Sequence, residues 1–210
     1  APGEPLFDET GGKFGPFSDQ IFVGDQTRSN LMRICLEKVG GEYQGAIFNF
    51  ADPLSCGVMR QVFGPDGSMW VGETGRGWRS VGGKEFGLER ITYDGTTLPV
   101  EMHIISATPS GFRLRFVQPM ARAGLAAAEA IQVQHWHYLY RPQYGSPKTD
   151  QTSVDVSNVR LSADGLELTF DVPMIEGKIY QISLSEAKSE TGTSLSNATG
   201  WYTLNRIPKS

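Results

Sequence analysis

The sequence predicts an all-β fold, and three observations predict it. The 25 glycines and 12 prolines in 210 residues are more turn formers than a helical chain carries and suit many short strands. Nearly every apolar stretch alternates inside and outside residues with the period of a strand, not of a helix. A short motif, "IFVGDQTRS" (Ile21 to Ser29), returns as "MWVGETGRG" (Met69 to Gly77), which is the mark of a repeated β unit.

Taken in order, "QIFVGD" reads as a strand that turns into "LMRICLEKV", where Met32, Ile34 and Leu36 alternate with Arg33, Cys35 and Glu37. "GGEY" turns the chain into the next strand, "YQGAIFNF". "GVMRQVFGPDGSMWVGE" is two strands joined by Pro65-Asp66-Gly67. Proline presets φ there, aspartate can bond its own backbone, and glycine accepts positive φ. "LERITYDGTTL" supplies a further strand and turn. The texture changes after Pro99, so a boundary is expected between residues 98 and 99, with one domain over 1–98 and another over 99–210. Beyond it, "MHIISATPSGFRLRFVQPM", "VDVSNVRLSADGLELTFDVPMIEGKIYQISLSEA" and "WYTLNRI" alternate as strands. The single helical candidate is the alanine-rich "ARAGLAAAEAI" (Ala121 to Ile131), weakened by Gly124.

The motif repeats as strand, loop, strand. Ile21, Phe22, Val23, Gly24, Asp25 and Arg28 match Met69, Trp70, Val71, Gly72, Glu73 and Arg76 at one constant offset. "LMRI" then matches "LERI" after the second copy gains the insertion "WRSVGGKEF". Repetition at a period of about 45–50 residues with variable loops points to β-propeller blades rather than to two active sites. About two such blades precede a second, sandwich-type domain. In that domain Val159, Leu161, Leu166, Leu168 and Phe170 are expected to meet Ile179, Tyr180, Ile182 and Leu184 across a core.

Composition narrows the function classes. A net charge of -4 and a pI near 5.4 give no footprint for nucleic acid. No run of eighteen apolar residues exists in the sequence, so no membrane-spanning helix is expected. The chain opens at Ala1 with no signal peptide, which fits a processed product or a fragment. Cys35 and Cys56 suit either one disulfide in an exported protein or two buried thiols, and spacing does not choose. The sequence holds no G-x-S-x-G, Walker A, H-E-x-x-H or C-x-x-C motif.

Two quoted regions resemble known families. "GPFSDQIFVGDQTRS" with "LEKVGGEYQGA", followed by "SCGVMRQVFGPDGSMWVGETGRGW", resembles the last blades of the β-propeller family related to soluble glucose and sorbosone dehydrogenases. Members occur in large exported bacterial proteins described as dehydrogenases or haem-binding proteins. "FVQPM", "VSNVRLSADGLELTF" and "EGKIYQISLSEAKSETG" resemble the bacterial Ig-like domains appended to exported proteins. The resemblance implies a secreted or periplasmic protein, and a complete propeller of this kind implies pyrroloquinoline quinone and calcium. Closure takes about six blades, and the histidine general base of the sugar-oxidising relatives has no counterpart, because no histidine precedes His103. The expectation is therefore a non-catalytic structural and binding portion, related to carbohydrate and completed by further blades, a partner chain or a second copy. The alternative is a subunit or fragment of a quinone-dependent sugar dehydrogenase.

Three groups of side chains are candidates for chemistry, and no catalytic residue is assigned. Asp25, Arg28, Glu73, Arg76, Trp78 and Arg79 fall on the two repeat loops and would line one rim. Arginine forks suit carboxylates or phosphates, and Trp78 could stack on a sugar ring. The plainer alternative makes Asp25–Arg28 and Glu73–Arg76 local ion pairs. In "IQVQHWHYLYRPQYGSP", Trp136, Tyr138 and Tyr140 share one strand face as a carbohydrate platform. His135 and His137 share the other as a metal pair in want of a third ligand such as His103. The plainer alternative there is simple packing.

Overall fold

The computed structural model describes every residue of 1–210 except Trp78, Ala126, Ser185 and Ser210. It is all-β, and its antiparallel sheets stay open. The chain divides into two units: residues 1–35 with 47–98, and residues 36–46 with 99–210. Beyond the change near Pro99, one hairpin departs from a simple division into halves. Strands β3 (Asn30–Val39) and β4 (Glu42–Ala51) are ten residues long, so their base belongs to the first unit and their tip to the second.

In the first unit, β1 (Pro2–Phe7), β2 (Ile21–Asp25), β3 and β4 form a meander in chain order. A second meander follows, β5 (Val58–Phe63), β6 (Met69–Thr74) and β7 (Phe86–Ile91). Pro65, Asp66 and Gly67 make the turn between β5 and β6, with Asp66 accepting hydrogen bonds from the backbone and hydroxyl of Ser68 (3.1 and 2.7 Å). The two meanders share one register. Gly24 faces Leu31 as Gly72 faces Leu88, and Phe22 faces Arg33 as Trp70 faces Arg90. Even the register shift in the first strand recurs, between Pro2 and Pro5 and between Val58 and Arg60. The sequence repeat is thus a repeat of pairing geometry.

The strand β3 buries Leu31, Arg33 and Cys35 and leaves Leu36 52% exposed. Burying an arginine with no exposed surface needs compensation. Its guanidinium lies between the rings of Phe17 and Phe48, 4.6 and 4.5 Å from their centroids, and donates to Gln20 Oε1. Phe14, Phe22, Phe50 and Phe63 complete this aromatic core through edge contacts. Both cysteines are buried and neither is in a disulfide.

The second unit packs two antiparallel sheets face to face. One is β12 (Ser157–Leu161), β13 (Glu167–Asp171), β9 (Gly111–Phe116) and β8 (Met102–Ala107) in that order. The other is β15 (Thr199–Leu204), β14 (Lys178–Ser183), β10 (Gln132–His137) and β11 (Thr149–Val154), extended by the hairpin tip. Phe112 of the first sheet meets Tyr180 and Tyr202 of the second, ring centroids 5.1 and 5.2 Å apart. Of the residues expected inside, Leu161, Leu168, Phe170, Tyr180, Ile182 and Leu184 are buried, while Val159, Leu166 and Ile179 are only half-buried.

The helix expected over Ala121–Ile131 does not form. Two single 3-10 turns, Arg122–Gly124 and Ala128–Ala130, stand in its place. Alanine preference cannot nucleate so short a helix without an apolar stripe to anchor it. Here buried Leu125 and Ile131 anchor the segment separately, and Arg122 reaches away to the carbonyls of Leu161 and Ser162.

Candidate functional site

The two repeat loops meet in the first unit. The Gln26 side chain donates to the Arg76 carbonyl at 2.8 Å, the Val81 N–H to the Thr27 carbonyl at 3.0 Å, and the Gly82 N–H to Ser29 Oγ at 3.1 Å. Asp25, Arg28, Glu73, Arg76 and Arg79 therefore belong to one loop cluster, though their roles differ. Trp78 lies outside the described residues.

Asp25 does not pair with the Arg28 guanidinium. It accepts from the Arg28 backbone N–H (2.7 Å), closing its own turn, and lies 3.3 Å from the Ala1 ammonium. Partial burial pushes its carboxyl up, but those donors more than offset this and leave it below the usual aspartate value. Glu73, its counterpart by the repeat, is buried and accepts from the Cys56 N–H at 2.7 Å. It lies across Gly87, where a Cβ would come within 2.8 Å of Glu73 Oε2. Glu89 beside it accepts from the Ser55 N–H at 2.8 Å. Burial pushes the Glu73 carboxyl up, and the Glu89 charge adds to it. The hydrogen bonds from Ser55 hold Glu89 down. The two carboxyl groups thus pin the 55–56 backbone, one favouring its proton and the other its charge. The Cys56 thiol, fully buried beside them, is pushed up by burial and by Glu73, so it is no nucleophile. The expected Glu73–Arg76 ion pair is absent among the described residues; a glutamate facing inward cannot reach an arginine on the rim.

What the rim offers instead is a groove of about 730 Å³ bounded by Thr74, Arg76, Arg79, Ser80, Lys84 and Phe86, among others. Arg76, Arg79 and Lys84 are exposed, and Glu85 is the one acid in its lining. Among the described residues neither the Arg76 nor the Arg79 guanidinium has an ion-pair partner. Phe86, 76% exposed, gives the groove an apolar wall. Lys84 and Phe86 were not singled out by the sequence, because both sit in the insertion that breaks the repeat or at its edge.

The aromatic segment behaves differently from the expectation. Strand β10 ends at His137, so Tyr138 and Tyr140 leave the sheet as exposed loop residues and share no strand face with Trp136. Trp136 is buried, with Lys148 Nζ 3.7 Å over its ring, which removes it from any platform. His135 is buried against the Tyr180 ring, and burial, then Lys178, holds its imidazole below the ordinary value. His137 Nδ1 lies 3.0 Å from Lys178 Nζ and 3.5 Å from Asp150 Oδ2. Lys178 thus takes up His137 Nδ1, and no group of three or more His, Cys, Asp or Glu side chains suited to a metal exists among the described residues. The carboxyl pair of the first unit is no ready cage for the calcium implied by the resemblance, since Glu73 and Glu89 are turned onto the Cys56 and Ser55 N–H groups.

Comparisons with protein-family models, with characterised proteins and with solved structures give no match. The reading of the site therefore stands on its residues: a cationic, part-apolar groove on a loop cluster braced by the buried Glu73 and the half-buried Glu89.

Proposed function

We propose that the chain is a non-catalytic binding portion of an exported, secreted or periplasmic protein that grips an acidic saccharide in the Arg76–Arg79–Lys84 groove. The carrying observation is the composition of that groove: three cations against Glu85, with the Phe86 ring as an apolar wall. Guanidinium forks pair with carboxylates, an aromatic face takes the apolar side of a pyranose, and the volume suits a small ligand. A uronate presents both features on one ring. Phosphate would use the cations and leave Phe86 idle.

The fold reading behind this is two blade-like meanders of propeller type, residues 1–98, followed by an Ig-like sandwich, residues 99–210. Its support is the shared register of the meanders and the two facing sheets of the second unit. Calorimetric titration with a galacturonate trimer, maltotriose and inorganic phosphate tests the ligand. Trimer binding that weakens with salt, fails for maltotriose and falls at least about tenfold in Arg76→Ala/Arg79→Ala supports it. Equal affinity for maltotriose, or a double variant that binds like the parent, overturns it. Mixed with pyrroloquinoline quinone, calcium ions and an aldose, the chain is expected to reduce no dye.

A further inference from the structure

The geometry points to a docking seat on the exposed face of the β5–β6–β7 sheet, and to strand β1 of a second copy as its occupant. The chain itself shows how such a face is covered. In the first meander the face formed by Phe22, Gly24, Leu31 and Arg33 is closed by β5. A Cβ on Gly24 would overlap Val58, Gln61 Nε2 donates to the Phe22 carbonyl at 3.2 Å, and the Phe63 ring meets Phe22. Phe22, Leu31 and Arg33 have no exposed surface.

The repeat carries each of these positions into the second meander, where no strand among the described residues lies over them; Glu4, Pro5 and Leu6 of β1 only border the groove they form. Trp70, Gly72, Leu88 and Arg90 stand at the equivalent places, with Trp70 39% and Leu88 69% exposed. Gly72 is the telling residue. A Cβ there would meet only Arg60, at 3.7 and 3.9 Å, which is ordinary contact, and its φ is not positive. Glycine inside a strand is less stable than alanine because it loses more backbone freedom, and among the described residues nothing offsets that. A side chain seated on Gly72 as Val58 sits on Gly24 does.

The same pairing identifies what fits. Val58, Gln61 and Phe63 oppose Glu73, Val71 and Met69; Pro2, Pro5 and Phe7 oppose Asp25, Val23 and Ile21. Strand β1 is therefore the counterpart of β5, and Pro2, Pro5 and Phe7 are exposed. A second copy can lay them over Gly72 and Trp70 as β5 lies over Gly24 and Phe22. Pro5 also borders the groove on its own chain, whereas Pro2 and Phe7 lie outside it, so the contact joins two different surfaces head-to-tail.

This inference rests on the reading of residues 1–98 as stacked equivalent meanders. Its test is sedimentation across about two decades of concentration for the parent, Gly72→Val and Pro2→Glu, with thermal unfolding of each. The parent associates; Gly72→Val and Pro2→Glu each weaken association at least about tenfold; an equimolar mixture of the two stops at a dimer, joined through the one intact seat and the one intact strand. Gly72→Val unfolds no earlier than the parent. A parent that stays monomeric gives the seat to some other sheet and overturns the proposal. Undiminished association of Gly72→Val would mark a merely sticky apolar patch, and a mixture that fails to dimerise would mark a symmetric contact; either defeats it, as does early unfolding of Gly72→Val. Galacturonate titration of the same variants separates this outcome from failure of the groove.

Discussion

Replacing Tyr202 by phenylalanine removes one oxygen atom from the second unit and should cost far more than one oxygen's worth of packing. Tyr202 is fully buried on β15. Its hydroxyl donates to Glu37 Oε1 and accepts from Gln44 Nε2 at 2.7 Å. Both partners lie on the hairpin tip, where Glu37 also accepts from the Ala107 N–H at 2.7 Å and Gln44 Oε1 from the backbone of Asn205 and Arg206 at 3.1 and 2.8 Å. Phenylalanine fills the same volume, so no cavity term arises. What is lost is a bond to a charged group, about 1.5–3 kcal/mol, and a neutral one, about 0.5–1.5 kcal/mol. The sum, about 2–4.5 kcal/mol, amounts to a drop of roughly 8–18 °C in the melting of a unit this size. Burial, then Glu37, raises the phenol well above its ordinary value of 10.0. The folded state therefore holds the phenolic proton while the unfolded chain releases it, so parent stability declines above about pH 10, and Tyr202→Phe shows a shallower decline, the remainder coming from Tyr180, which burial also raises. Calorimetry from pH 7 to about pH 10.5 reads both effects. A loss under about 0.5 kcal/mol at pH 7 would mean that water satisfies Glu37 and Gln44, and the network would no longer explain how the tip joins the sheet.

Two further outcomes follow from the first unit. At Arg33, lysine should destabilise more than methionine, because lysine keeps a buried charge while losing the flat stack between Phe17 and Phe48; denaturant midpoints in the opposite order would refute this. At the carboxyl pair, the Glu73 value lies above the ordinary 4.5. Its stability contribution is thus complete below pH 4.5 and lost as pH rises through the folded value, so Glu73→Gln should match the parent near pH 4 and exceed it at pH 8. Glu89 is shifted down, its contribution is present above 4.5 and lost in acid, and Glu89→Gln should be weaker than the parent at pH 8. Chemical unfolding at the two pH values, with both variants alike, would break the division of roles.

The strands, the turn at Pro65-Asp66-Gly67 and the inward positions of the facing sheets were legible because alternation and turn chemistry are local. Burial at β3 was not. Alternation showed that Met32 and Arg33 lie on opposite faces, but hydrophobicity alone favours burying methionine. The face that goes inside is chosen by Phe17, Phe48 and Gln20, which come from other strands and loops. The aromatic segment failed similarly: period-two reading ran past His137 because nothing in "HYLYRP" marks a strand end until the proline, and Lys178, whose ammonium meets His137, lies far along the chain.

The loop pair Asp25 and Glu73 shows why a repeat can mislead about chemistry while being right about architecture. Both are acids at the end of the second strand of their meander, with an arginine three residues later. The extra methylene lets Glu73 turn under the sheet, across Gly87, to the Cys56 N–H, whereas Asp25 serves its own turn and the Ala1 ammonium. The insertion "WRSVGGKEF" follows only in the second copy, and Glu89 lies just beyond it. A buried carboxyl there holds the 55–56 backbone in place, and the Lys84 N–H in turn bonds the Ser55 carbonyl at 3.2 Å. The carboxylate that looked like half of a rim ion pair is instead the brace beneath the loop. By withdrawing inward it leaves Arg76 without a counter-charge on the rim. Arg28 is left without its repeat partner too, so what sets the second loop apart is the grouping of Arg79, Lys84 and Phe86 with Arg76, and on that grouping the proposed anion seat rests.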